Sequence, residues 1–227
     1  MHKIIKIPFV GQTTGQSGTV VTLCIICVLF FTTSGCGKDS SDGDIDGDPF
    51  YDFLQYSDNG KPYDFYYTDT GKKEVLKVRK DKVIIKAESA DIAKTMCNES
   101  VFMSAYDVGF WVIATINPKK TKLEHLLKMA GVVDATYGLE YIDGTLQYSK
   151  NVISVNMKNG ISPEEILGTT GLTENVETIE FYDTYFNGYR ITLNVRLCYI
   201  LQISRNMFES GLCKVAGPSF FIEMKPH

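Results

Sequence analysis

Apolar positions along residues 63–221 recur at two spacings, every second residue or every third and fourth, and the switches between them mark the elements. Residues 63–68 (YDFYYT) and 73–79 (KEVLKVR) flank Asp69-Thr70-Gly71-Lys72, whose turn-forming residues predict a hairpin. Residues 82–87 (KVIIKA) run apolar as a strand does. Residues 91–98 read as a short helix, opened by Ser89 as cap with Ile92, Ala93 and Met96 inward. Residues 109–116 (GFWVIATI) form the strongest strand signal, β-branched and aromatic, stopped by Pro118. Leu123, Leu126, Leu127 and Ala130 lie at helical spacing in 121–130, and Gly131 ends that helix. Residues 132–141 return as a strand before the turn Asp143-Gly144.

The same order recurs further on. Residues 151–157 (NVISVNM) predict a strand, and Ser162-Pro163-Glu164-Glu165 a helix start, with a cap, a proline in the first turn and acids at the positive end of the dipole. Strands at 177–182 and 189–195 surround Asn187-Gly188, a strong hairpin signal. Leu197, Ile200, Leu201, Ser204 and Phe208 make one helical stripe ended by Gly211, and 212–221 closes as a strand. The pattern β-α-β-β-α-β predicts an α+β fold of two tandem ferredoxin-like units, each an antiparallel sheet covered by two helices. Matching phrases (KVIIKAESADIAK with NVISVNMKNGISPEE, AGVVDATYG with SGLCKVAGP) predict an internal duplication. The expected units are 63–149, with its N-terminal hairpin, and 150–227.

The N-terminal pattern is of another kind. Lys3 and Lys6 precede the uncharged run VVTLCIICVLFF at 20–31, which is too short to span a bilayer and fits the core of an export signal. Thr33-Ser34-Gly35-Cys36 resembles a bacterial lipobox, with Thr33 where that motif usually has Leu. The resemblance implies removal of 1–35 and lipid on Cys36; a plain secretory signal cut nearby is the alternative. Residues 36–62 then predict an acidic tether, since GKDSSDGDIDGDP at 37–49 cannot bury enough apolar surface to offset ordering. Asp42, Asp44, Asp46 and Gly47 match the opening of a calcium loop, but its twelfth position is Phe53 and not a bidentate Glu. Lys38, Asp39 and Asp42 are similar to signals that send lipoproteins to the outer leaflet. The expected location is the bacterial cell envelope, as an outer-membrane lipoprotein exposed at the surface.

Charge removes one class of partner. Lys3 and Lys6 leave with the signal, so 21 basic residues face 27 acidic ones, without a basic cluster for nucleic acid. Cys97, Cys198 and Cys213 remain in the mature chain, each in apolar context, where cysteine acts as a small buried hydrophobe. A Cys198–Cys213 bridge stays open as an alternative in an oxidising compartment. Without a Cys-x-x-Cys pair in the mature chain, neither a redox motif nor a zinc site is indicated, and no cofactor or metal is expected.

The hairpin before Lys-Val-Ile-Ile-Lys, the Pro-Glu-Glu helix, and Phe208-Glu209-Ser210-Gly211-Leu212 leading to Ala216-Gly217-Pro218-Ser219-Phe220 resemble the N-terminal prodomain of secreted, fervidolysin-type subtilisin-like proteases. Gly217 stands where that family usually has Glu. The resemblance covers about residues 63–223 and implies a protein that touches a protease with the open face of a sheet, while the segment after the last strand lies in the substrate cleft. Here that segment is Glu223, Met224, Lys225, Pro226 and His227, which become the expected partner-binding residues. The catalytic domain that follows in the family does not follow here, so a free-standing relative is expected.

Catalysis is not expected of this chain. Its mature histidines are His125, on a predicted helix, and the terminal His227. Glu140, Asp143, Glu164, Glu165, Glu177 and Glu180 fall at loop edges and helix starts, where solvation and dipoles account for them. Trp111, Tyr63, Tyr66 and Tyr67 could form a sugar-stacking platform, but strand alternation favours packing. The expected function is that of a lipid-anchored, non-catalytic binding protein acting on a subtilisin-like protease as inhibitor or folding helper. The alternatives are a surface adhesion or assembly lipoprotein that binds through loops such as 183–188, and a remnant of a protease gene.

Overall fold

The computed structural model describes residues 54–223. Its elements, in chain order, begin with β1 (Gln55–Tyr56), β2 (Pro62–Tyr67), β3 (Lys73–Ala87), α1 (Ala90–Met96), β4 (Phe102–Val108), β5 (Trp111–Ile116), α2 (Leu123–Leu127) and β6 (Val132–Glu140). They continue with β7 (Leu146–Met157), α3 (Pro163–Thr169), β8 (Val176–Asp183), β9 (Gly188–Leu193), α4 (Ile200–Glu209) and β10 (Cys213–Glu223).

Ten strands join in one antiparallel sheet among the described residues, and this overturns the expected pair of helix-covered ferredoxin-like units. The architecture is mainly strand, with helices of only five to ten residues. Three features account for the difference. The segments read as separate strands at 73–79 and 82–87 are one strand, β3, which passes a register irregularity between Arg79 and Val83. It lies beside β2 over Lys73–Lys77 and beside β5 over Lys82–Lys86, with β6 along its other edge. Residues 102–108, which carried no strand signal, form the edge strand β4 against β5. The helix expected over 121–130 closes as five residues, because its cap position is Lys122, which makes no side-chain capping bond.

The halves are also joined. The β6–β7 hairpin turns at 141–145 and pairs Leu139 with Gln147 and Glu140 with Leu146. Strand β7 then continues between β10 and β9, with β8 outermost. Helix α4 packs on β7 and β10 and also reaches back to β2. There Arg205 donates to the Asp64 carboxylate and to the Phe65 carbonyl, with its guanidinium 4.6 Å from the Phe65 ring centre. Burial pushes the Asp64 carboxyl up while the Arg205 charge pulls it down, and the net direction is upward.

The apolar pattern divides into three clusters. Val83, Ile85, Val112, Ala114, Leu123, Leu126 and Leu139 pack under α1 and α2, and Leu201 of α4 joins them. Ile153, Val155, Ile166, Leu167, Ile191 and Met207 pack beneath α3 and α4. A third group, Ile84, Trp111, Ile113, Tyr148 and Leu197, draws on both halves. Tyr148 can lie across β6 because Gly138 has no side chain: a Cβ there would stand 2.9 Å from the tyrosine ring.

Candidate functional site

Strands β10, β7, β9 and β8 give the second half of the sheet two different faces. Residues of one parity, Ile153, Val155, Ile191 and Ala216, are buried against the helices. The pairings Gly217–Ser154–Arg190–Glu180 and Val152–Thr192–Thr178 set the opposite parity in rows across the other face. Arg190 and Glu180 are exposed, and a Cβ built on Gly217 meets no atom within 4 Å, so this face is open to solvent. Its chemistry is mainly hydroxyl, amide and charge, with Val152 among them.

One corner of the face is organised. Asn187 has φ 49°, the left-handed geometry that an Asn-Gly hairpin turn uses, and Asp183 accepts from the Tyr185 amide at 2.8 Å and the Phe186 amide at 3.2 Å. Tyr182 lies over Gly188, where a Cβ would fall 2.9 Å from the ring, and its hydroxyl donates to Asn156 Oδ1 at 3.0 Å. The Arg190 guanidinium sits 5.8 Å from the Tyr182 ring centre, and its Nη1 is 3.9 Å from Glu180. Both charges are exposed, so this pair adds little stability and leaves them available to a partner. Beside the corner stand Phe181, Tyr185 and Phe186, with Tyr185 96% exposed.

A second concavity, a cleft of about 730 Å³, opens between the β3–β6 ends and the β9–α4 connection. Asp134 stands at its back, where its carboxylate accepts from the backbone amides of Leu197 at 2.6 Å and Ala135 at 2.8 Å and from Arg196 Nε and Nη2 at 3.3 Å. Lys86 lines the same cleft.

The structure distributes the sequence-predicted residues. Glu223 is the last residue of β10, paired with Leu146, and its carboxylate accepts from the Tyr148 hydroxyl at 3.1 Å. The expected tail therefore starts inside the sheet, while Met224, Lys225, Pro226 and His227 lie outside the described residues, as do Cys36 and the calcium-like Asp42, Asp44, Asp46, Gly47 and Phe53. His125 is exposed on α2. Glu140 of β6 binds Arg79 at 3.0 Å and Lys77 at 3.2 Å, and the Arg79 hydrogen bond holds its carboxyl below the usual range. Asp143 accepts from the Thr145 amide in the β6–β7 turn, Glu164 and Glu165 occupy the first turn of α3, and Glu177 and Glu180 stand on β8.

The aromatic residues pack. Trp111 is 5% exposed and meets Phe221 edge-on at 5.7 Å. Tyr66 lies against Phe220, and Tyr67 stacks on Phe208 at 4.6 Å, while strand alternation puts Tyr66 on the face opposite Tyr63 and Tyr67. No disulfide joins Cys198 to Cys213, and both are buried. Burial pushes the Cys213 thiol up to about 11.

Sequence reasoning missed Lys86, Asp134, Asn156 and Tyr182. Asn156 and Tyr182 are 26 residues apart and meet only through the β7–β9–β8 register. The Asn-Gly signal placed the hairpin but not what it carries. In comparison with known proteins, no family model, curated protein or solved structure matches the chain.

Proposed function

We propose that this is an exported, non-catalytic binding protein, tethered to the bacterial envelope through lipid on Cys36, that grips a protein partner with the open face of β10, β7, β9 and β8. The observation that carries the reading is the face itself: one side of β10, β7 and β9 is buried by helices, and the other, continued by the exposed edge strand β8, presents Ser154, Arg190, Glu180 and Tyr182 to solvent around Gly217. An uncovered sheet face with fixed charges and an aromatic corner suits a protein surface, because aromatic and arginine side chains anchor such interfaces. The partner that the prodomain resemblance names is a subtilisin-like protease, for which this chain acts as inhibitor or folding helper.

The test uses the full chain with subtilisin-like proteases of the same organism. Gly217→Arg fills open space on the face without crowding the fold. The expected result is inhibition or co-purification that Gly217→Arg weakens at least tenfold. An absence of any effect on such proteases, or equal binding by Gly217→Arg, sinks the proposal.

A second reading, an adhesion or assembly module, is favoured by the exposed Phe181, Tyr185 and Phe186 at the hairpin. Tyr185→Ala separates the two: it abolishes attachment in an adhesion module and leaves protease binding through the face largely intact.

A further inference from the structure

The cleft at the β9–α4 connection has a floor of aliphatic side chains, Leu127, Val133, Leu193 and Val195, and Val133 is 53% exposed there. An exposed valine in a concavity is surface that a ligand can cover. At about 730 Å³ the cleft falls within the range of sites that hold small ligands or a few residues of peptide.

Its charges are unevenly used. Lys86 stands directly opposite Asp134 in the β3–β6 pairing, the position where an ion pair would form across strands. The Asp134 oxygens turn instead to Arg196 and to the Leu197 and Ala135 amides. Lys86 makes no ion pair among the described residues, so the cleft keeps one uncompensated positive charge. The wall is carboxamide: Asn151 Nδ2 donates to the Leu193 carbonyl at 3.0 Å, and Asn175 Nδ2 to the Asn194 carbonyl at 3.4 Å. Asparagine amides held by backbone are suited to the donors and acceptors of a peptide main chain.

We infer that this cleft binds the carboxylate end of an aliphatic peptide, with the carboxylate against Lys86 and the apolar side chains on Val133 and its neighbours. The site is separate from the open sheet face and does not rest on the proposal made for that face.

Fluorescence anisotropy with the full-length chain tests it. The probes are a fluorescein-labelled Gly-Gly-Val-Leu peptide with a free C-terminal carboxylate, the same peptide amidated, and fluorescein-labelled octanoate. The free-carboxylate peptide is expected to bind at least tenfold more tightly than its amide. Lys86→Met is expected to abolish that preference, and Val133→Asp, at an exposed position, to weaken the free-carboxylate peptide at least tenfold. Gly217→Arg is expected to leave peptide binding unchanged, which separates failure of this site from failure of the sheet face. Equal binding of peptide and amide, tighter binding of octanoate, indifference to both cleft substitutions, or no anisotropy change at millimolar protein overturns the inference.

Discussion

Asp64 sits in a strand of aromatic residues and Arg205 on the inner side of a helix, positions at which a charge is costly unless it is paired. Each is nearly excluded from solvent, and the two meet across 141 residues of chain. Arg205→Met leaves the Asp64 carboxylate buried without its cation, and the expected loss is about 3–5 kcal/mol at neutral pH. The pH dependence follows from the direction of the shift. The Asp64 carboxyl already lies above its ordinary value through burial, and without Arg205 it rises further. A folded-state value raised above the unfolded one stabilises the protein below the unfolded value, and that stabilisation is lost as pH rises through the folded value. The deficit of Arg205→Met should therefore shrink as pH falls from 7 towards 4, which urea unfolding midpoints at the two ends would show. A deficit that stays constant or grows on acidification contradicts the assignment. This pair was not legible in the sequence: Arg205 lies beside the apolar stripe of α4, and nothing local in the chain names Asp64 as its partner.

At the scale of elements, α2 was expected from its leucine spacing and α3 from its cap, and the two came out differently. Ser162 accepts from the Glu165 amide at 3.3 Å, Pro163 fills the first turn, and α3 starts where its cap predicts and runs to Thr169. Lys122 offers α2 no such acceptor, and the leucine pattern that predicted ten residues yields five. Helices this short gain too little from their own hydrogen bonds to persist alone, so end groups and packing decide their length. Ser162→Ala should cost about 1 kcal/mol, whereas Lys122→Ala should stay within about 0.5 kcal/mol, both read from chemical denaturation midpoints. Equal effects would mean that capping does not distinguish the two helices. Caps and turns were the most legible features of the chain: Ser89, Ser162 and Asn187 fall where their chemistry predicts, whereas Gly131 has a left-handed φ of 77° but does not end α2, which stops at Leu127. Strand β4 was not, because 102–108 exposes most of both faces and lacks an alternation to read.

The whole molecule could not be read from local pattern, because its shape is set by which strands pair over long separations. Alternation in β3 and β7 reveals strands; it does not reveal that β3 changes partner from β2 to β5 along one edge, or that β7 changes from β6 to β9. Those changes carry the chain from one half of the sheet to the other. Leu201 of α4 packs into the first-half core, Arg205 of the same helix pairs with β2, and Tyr148 and Leu197 share a cluster with Trp111. The first-half core and the shared cluster therefore complete their burial with side chains from the second half, and the first half cannot lose its core without exposing apolar surface of both. Unfolding should follow as one cooperative transition over residues 54–223. Leu126→Ala in the first core and Ile166→Ala in the second each remove a fully buried side chain and should cost about 2–5 kcal/mol. Followed by Trp111 fluorescence in the first half and by far-ultraviolet circular dichroism, both variants should move the two signals together. If Ile166→Ala shifts the circular dichroism transition and leaves the Trp111 transition in place, the halves unfold separately and the shared clusters contribute less than the contacts within each half.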